Sequence, residues 1–329
     1  MTMPVRLALA VFVAVPACAG SPPAPSGVSP PASLACSGLT LGPGDYERTL
    51  VTGGRSRSYF LHVPPAYRPA IRTPLILSFH GGGGNAERHE ETVQLEPKAD
   101  AAGFLLVTPQ GTGRAGLLTW NAGNCCGYAR DNAVDDVAFV RALLDAVSAE
   151  VCVDPKRVYA SGFSNGGLLS HRLGCELSDR IAAIAPVGGG LGHLDLDRDP
   201  PGVLFECRPP RPVPVLHIHG LEDDCYPFEG GVGNGISAET KLSIPATMAV
   251  WRERNACQAV TRVTYANGEA ECRAYEGCRA DTRLCTIRDG GHAWPGSPER
   301  TSFLCGGTVS QDLPANDAIW DFFAAHPMP

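Results

Sequence analysis

The stretch Val158-Tyr159-Ala160-Ser161-Gly162-Phe163-Ser164-Asn165-Gly166-Gly167 constrains the fold more than any other part of the chain. An apolar, strand-forming run enters a glycine-x-serine-x-glycine pentapeptide and leaves it in helix-compatible residues, so strand, sharp turn and helix follow in direct succession. A turn of this kind holds its serine in a strained backbone conformation. The residues two before and two after it must be small for strand and helix to approach closely, and Gly162 and Gly166 provide that room. In a chain with 38 glycines the bare pentapeptide can arise by chance; the flanking strand and helix give it meaning and make Ser164 a candidate nucleophile.

A serine hydroxyl is a weak nucleophile until a base takes its proton, and the base needs a carboxylate to orient it. On a strand–turn–helix scaffold the expected chain order is serine, acid, histidine. A late apolar run at 213–219 leads through Gly220 into Leu221-Glu222-Asp223-Asp224, where three adjacent carboxylates compete for the acid's role. Arg288-Asp289-Gly290-Gly291-His292-Ala293-Trp294-Pro295-Gly296 then offers a lone histidine, His292, among glycines just after another strand-like run. His217 and His219 precede the acid, which breaks that order, and are expected to be buried, hydrogen-bonded strand residues.

Acyl transfer needs N–H donors placed where negative charge develops on the carbonyl oxygen. Leu77-Ser78-Phe79-His80-Gly81-Gly82-Gly83-Gly84-Asn85 ends an early strand in glycines that can present bare amides, so the expected oxyanion donors are the N–H groups of Gly82 and Asn165. The competing reading, a phosphate-binding turn, lacks both a G-x-G-x-x-G pattern and a following Walker lysine.

Around these motifs short apolar runs alternate with longer amphipathic ones, the pattern of a mainly parallel sheet covered by helices on both faces. Strands are expected at 58–63, 75–80, 104–108, 158–161, 182–187, 213–219 and 284–288, and helices at 86–102, 133–150, 166–175, 238–255 and 316–325. Asp135 and Asp136 fall in the first turn of the second helix, where carboxylates favour the local dipole.

The N-terminus reads differently. Residues 1–17 carry one Arg and the apolar run from Leu7 to Val15, a targeting segment too short to span a bilayer as a mature helix. The proline- and serine-rich residues 18–35 can neither build a core nor hold a helix and form a tether. The region 36–329 is then one catalytic domain. Export implies an oxidising compartment, which suits 13 cysteines. Cys18 follows Val15-Pro16-Ala17 and resembles the acylated cysteine of bacterial lipoproteins; the alternative is ordinary cleavage nearby. Setting Cys18 aside leaves 13 − 1 = 12 cysteines, an even number able to pair completely. The later cysteines, Cys257, Cys272, Cys278, Cys285 and Cys305, lack the paired C-x-x-C spacing of a metal site, so disulfides are expected and no metal. With a net charge of −7 and scattered Lys and Arg, nucleic acid is not an expected partner.

Laid in order, these motifs resemble the extracellular polyhydroxybutyrate depolymerase and feruloyl esterase family, a carbohydrate-esterase-like branch of the α/β-hydrolases. The likeness runs from about Arg55 to His326. It includes Trp120-Asn121-Ala122-Gly123-Asn124-Cys125-Cys126-Gly127, Val134-Asp135-Asp136-Val137-Ala138-Phe139-Val140, the Gly162–Gly167 elbow, Gly291-His292-Ala293-Trp294-Pro295-Gly296, and Ser310-Gln311-Asp312 leading into Ala318-Ile319-Trp320-Asp321-Phe322-Phe323. The resemblance implies an α/β-hydrolase fold with Ser164 as nucleophile, Asp223 as acid through an H-G-x-x-D pattern, His292 as base and the Gly82 backbone in the oxyanion hole. It implies no cofactor. Family members acting on solid polyester carry an added binding domain, and nothing past Pro329 could supply one, so soluble short hydroxyalkanoate, feruloyl or acetyl-sugar esters are the expected substrates.

Trp294, Trp120, Phe228 and Tyr128 are the expected pocket aromatics, since flat apolar rings suit phenolic acids and sugar faces. The expected product is a monomeric esterase, extracellular or at the cell surface, with membrane contact only through a lipid on Cys18. A serine peptidase on the same fold and a non-catalytic binding lipoprotein are the alternatives.

Overall fold

The computed structural model describes residues 36, 38–123, 125–195, 202–203, 206–235, 239–298, 305 and 307–329. The leader, the tether with Cys18, and Asn124 of the tryptophan–cysteine motif lie outside the described residues.

The chain begins with β1 (Gly44–Thr52) and β2 (Arg55–Val63), then β3 (Thr73–Phe79), α1 (Ala86–Val93), α2 (Leu95–Ala102) and β4 (Leu105–Pro109). A small hairpin, β5 (Thr112–Arg114) with β6 (Leu117–Thr119), precedes α3 (Gly127–Asp131), α4 (Asp136–Glu150), β7 (Val153–Phe163), α5 (Asn165–Glu176) and β8 (Ala183–Val187). A second, β9 (Leu194–Asp195) with β10 (Gly202–Val203), is followed by β11 (Val215–Gly220) and α6 (Ile244–Arg254). The strands β12 (Thr261–Asn267), β13 (Ala270–Tyr275) and β14 (Thr282–Ile287) and the helix α7 (Ala315–Ala324) complete it.

Ten strands form one sheet in the order β1-β2-β4-β3-β7-β8-β11-β14-β13-β12. The six from β4 to β14 in that order are parallel, and the two at each edge join antiparallel. Full burial on both faces explains why β3, β4, β8 and β11 read as unbroken apolar or buried runs rather than alternating ones. Leu75, Leu77 and Phe79 face one core layer with Phe139, Leu143, Leu169, Met248 and Trp251 of α4, α5 and α6. Ile76 faces the other, with Val93, Leu95, Ile319 and Phe323 of α1, α2 and α7. Removing such side chains from water contributes about 1.5–3 kcal/mol each. This is the α/β-hydrolase layering expected from the sequence.

Three departures have local causes. The helix expected at 86–102 is two helices, because Gln94 adopts a left-handed conformation (φ 51°) and Pro97, which has no N–H, can sit only in a helix's first turn. The Glu96 N–H there donates to the Glu90 carboxylate at 2.6 Å. The helix expected at 238–255 starts only at Ile244, capped by Ser243 Oγ accepting from the Ala246 N–H. Asp135 lies before α4 rather than within it, as the cap accepting from the Ala138 N–H. Asp136 does more than face the helix dipole: fully buried, it accepts from Arg57 at 2.9 Å and from the Asn121 N–H at 2.7 Å.

Six disulfides pair Cys36 with Cys152, Cys125 with Cys126, Cys175 with Cys207, Cys225 with Cys305, Cys257 with Cys278 and Cys272 with Cys285. All twelve cysteines other than Cys18 are thereby paired. Closing the 116-residue separation between Cys36 and Cys152 removes unfolded-chain entropy worth about 5 kcal/mol.

Candidate active site

The switch in strand order lies at β3 and β7, where the chain first runs outward to β4 and then crosses back, and open parallel sheets bind ligands at the carboxyl ends of such strands. Ser164 occupies that place. It follows the last residue of β7 with φ 54° and ψ −117°, a conformation L-residues adopt only when the surroundings impose it. Its N–H donates to Val187 O of β8 at 2.8 Å and its carbonyl accepts from the Leu168 N–H of α5 at 2.9 Å. A Cβ on Gly162 would lie 2.6 Å from the Gly166 carbonyl carbon, and one on Gly166 would lie 2.2 Å from Phe79 O of β3, so the elbow closes only with glycine at both positions.

The acid and base loops arrive from the neighbouring strand ends, β11 and β14. They are laced together by the Leu221 N–H donating to Ile287 O at 2.8 Å and the Glu222 N–H donating to Gly290 O at 2.9 Å. His292 Nδ1–H donates to Asp223 Oδ2 at 2.7 Å, and Ser164 Oγ–H donates to His292 Nε2 at 2.9 Å. A carboxylate only accepts, so Asp223 puts the imidazole proton on Nδ1 and leaves Nε2 as the acceptor facing the serine. The other Asp223 oxygen accepts from the N–H groups of Cys225 at 2.9 Å and Tyr226 at 2.7 Å. Burial works to raise the Asp223 carboxyl, but the facing imidazole and its hydrogen bond prevail and hold it below the ordinary carboxylate range. Of the three adjacent carboxylates only Asp223 turns inward; Asp224 accepts from the Asn234 amide and Glu222 is exposed.

In the glycine loop after β3, Gly83 N–H donates to Leu118 O and Gly84 N–H to Gly81 O, commitments that the N–H of Gly82 does not share among the described residues. A Cβ on Gly81 would meet the Ser164 Cβ at 3.4 Å, which sets this loop against the serine. Asn165 opens α5, where an N–H has no partner one turn back. Its side chain is not a free donor, because the amide accepts from the Trp120 N–H at 2.7 Å and donates to Trp120 O at 3.0 Å.

Two expected pocket aromatics require correction. Trp120 is fully buried, donates from its indole to His80 O at 2.9 Å and packs on Phe79. Trp294 is fully buried in the opposite core layer, donating to Asn316. Each indole needs a partner when buried and finds one inside the core, so neither ring presents a face to substrate. Phe228 and Tyr128 remain partly exposed.

His80, the residue before the glycine loop, has no role among the sequence expectations. Its Nδ1–H donates to Gly81 O at 2.8 Å and its Nε2 accepts from the Gly111 N–H at 3.0 Å, so it braces the loop as a neutral ring, with burial lowering it to about 4. Its place in His80-Gly81-Gly82-Gly83-Gly84 was the available signal. The buried Arg57–Asp136 pair, which holds the Asn121 N–H, had none. Asp224, Cys225 and Cys305 converge closely enough for a metal, but the two cysteines are bonded to each other.

Comparison with known proteins places the chain in a family. Residues 57–192 match the model of the family described as Esterase PHB depolymerase. The chain is 33% identical to "Putative esterase NocK" of Nocardia uniformis subsp. tsuyamanensis, with 96% of each chain covered. It is 31% identical to Feruloyl esterase B of Piromyces equi over 72% of this chain, spanning only 42% of that protein's length. Among solved structures, Acetyl xylan esterase from Aspergillus awamori superposes with a TM-score of 0.57 at 12% identity, covering 85% of this chain and 99% of that one, a likeness of fold. The family motif, the full-length relative and the α/β-hydrolase sheet converge: the chain belongs to the esterase PHB depolymerase family of carboxylic ester hydrolases.

Proposed function

We propose that this protein is an exported serine esterase that cleaves soluble carboxylic esters by two-step acyl transfer. The observation that carries the reading is the continuous hydrogen-bonded line Ser164–His292–Asp223 at the switch point of the sheet. His292 Nε2 takes the Ser164 proton as Oγ attacks the ester carbonyl; the same proton then passes to the leaving alcohol, and water repeats the sequence on the acyl-enzyme. Asp223 stays ionised, holds the tautomer and stabilises the imidazolium. The N–H groups of Gly82 and Asn165 receive the developing oxyanion, and one such donor is worth about a hundredfold to a thousandfold in turnover.

Relatives named feruloyl esterase and acetylxylan esterase support feruloyl and acetylated sugar esters as the substrate class, with short hydroxyalkanoate esters from the family name. Phe228 and Tyr128, both partly exposed, are the aromatic residues proposed to contact the acyl or sugar group. The paired cysteines support folding in an oxidising compartment. No helix among the described residues is long and apolar enough to cross a membrane; a lipid on Cys18 is the membrane attachment proposed.

A panel of methyl ferulate, acetylated xylo-oligosaccharide and a hydroxybutyrate dimer ester, each beside its matched amide, tests the reading. Ester turnover abolished by Ser164→Ala is expected. Faster cleavage of the amides would make the protein a peptidase instead, and undiminished turnover by Ser164→Ala would remove the serine from the chemistry.

A further inference from the structure

Three buried histidines that the acyl-transfer steps do not use stand in a row behind Asp223. His217 and His219 lie two apart on β11 and so share the sheet face covered by α5 and α6, from which His171 and Trp251 reach down. All four side chains are inaccessible or nearly so. Trp251 Nε1 approaches His171 Nδ1 at 2.9 Å, His171 Nε2 approaches His217 Nδ1 at 3.2 Å, and His217 Nε2 approaches His219 Nδ1 at 3.2 Å. His219 Nε2 ends the row 2.8 Å from Tyr226 O and 3.4 Å from Asp223 Oδ2.

The chemistry of the two ends decides every proton between them. An indole N–H only donates, so His171 Nδ1 must accept; a neutral ring then carries its proton on Nε2 and donates onward. The same step repeats at His217 and at His219, whose Nε2–H arrives at a carbonyl and a carboxylate, which only accept. One tautomer satisfies all four hydrogen bonds, and no other does. A row closed by a donor-only group at one end and acceptor-only groups at the other has no vacant site for a travelling proton, which makes it a support rather than a wire.

What it supports is the acid loop. The Tyr226 N–H donates to one Asp223 oxygen while the Tyr226 carbonyl is held by His219, so the turn that grips the carboxylate is itself gripped from behind. We propose that His219, locked by His217, His171 and Trp251, is a positioning residue that pins the Asp223–Tyr226 turn and thereby aims Asp223 at His292. The inference rests on the Ser164–His292–Asp223 reading. The charged and titratable groups that act on His219 are Asp223 and Tyr226 from the acid loop and His292 from the base loop. Burial lowers all three histidines, which agrees with neutral rings.

Two arms test it on the full chain. In the wild-type protein, nitrogen-15 imidazole spectra should show His171, His217 and His219 as Nε2–H tautomers that do not titrate between about pH 5 and 8; a protonated Nδ1 on any of them, or titration in that range, overturns the proposal. The second arm compares two variants of nearly equal shape. His219→Gln can keep an N–H donor near the position of Nε2, whereas His219→Met cannot. On p-nitrophenyl acetate, H219M should lose about tenfold in kcat with KM unchanged, the rate equivalent of one good hydrogen bond, and H219Q should recover most of it. Equal kcat in the two variants, or a loss confined to KM, overturns it. If H219M does not fold, the spectra of the wild type decide. An inactive Ser164→Ala beside a fully active H219M sinks this inference alone, whereas an active Ser164→Ala sinks the triad beneath it.

Discussion

Replacing Asp223 by Asn removes one charge and almost no volume, and the structure dictates which way the new amide must face. One carboxylate oxygen accepts two N–H groups, from Cys225 at 2.9 Å and Tyr226 at 2.7 Å, and only the amide oxygen can take their place. The amide nitrogen is therefore turned toward His292 Nδ1, 2.7 Å away in the native protein. Two donors cannot face each other there, so the imidazole gives up its Nδ1 proton and carries one on Nε2, pointing at Ser164. The ring keeps its position but can no longer take the serine proton. The expected loss is about 10³- to 10⁴-fold in kcat, about 4 to 5.5 kcal/mol of barrier, the size this tautomer change has in serine triads. Stability should barely move, because every backbone donor keeps an acceptor. Asp223→Ala should behave oppositely in that respect, stranding two buried N–H groups at about 1–3 kcal/mol each. Steady-state kinetics on p-nitrophenyl acetate, with melting curves for both variants, make the comparison. An Asn variant within tenfold of wild-type kcat would refute the reasoning, since it would show that the carboxylate does not set the tautomer.

Gly166→Ala places a methyl carbon 2.2 Å from Phe79 O, and that clash lies between two backbones that cannot rotate away. A loss of about 1–3 kcal/mol or more in chemical denaturation is expected, together with loss of activity, and a variant of native stability would show that the elbow has slack. Glu90 gives a pH signature. Burial raises its carboxyl to about 8 from 4.5, so between those values the folded protein binds a proton the unfolded chain has released, and stability falls as pH rises through that window. Glu90→Gln still offers the Glu96 N–H an acceptor without a charge to bury. Its melting-temperature advantage over wild type should therefore grow from about pH 5 to 8 and level off above, whereas a gap independent of pH would contradict the assignment.

The elbow was legible because its glycines answer a local steric demand, and the chain order of nucleophile, acid and base then narrowed the search to short loops after apolar strands. The structure brings Ser164, Asp223 and His292 into one line, and His217 and His219 lie buried as their position within a strand implied. The parts that were not legible depend on partners distant in sequence. The strand β12 is exposed along most of its length and mixes Arg262, two threonines and Asn267 with Val263, Tyr265 and Ala266, so it carries no apolar run and is recognised only by its pairing with β13. Trp120 and Trp294 sit within a few residues of site motifs, yet sequence proximity does not say which side of the sheet a ring will occupy. The row from Trp251 to His219 joins two helices and a strand, and nothing local to any of them announces it. The break at Gln94 is a different case, since Pro97 was a visible breaker inside the expected helix.

That Ser164 is the activated nucleophile is tested most directly by a fluorophosphonate probe followed by peptide mass analysis. One equivalent per chain on the peptide containing Ser164, with esterase activity lost in proportion and no labelling of Ser164→Ala, is the predicted result. Labelling elsewhere, or full ester turnover by a chain that takes up no probe, would contradict it.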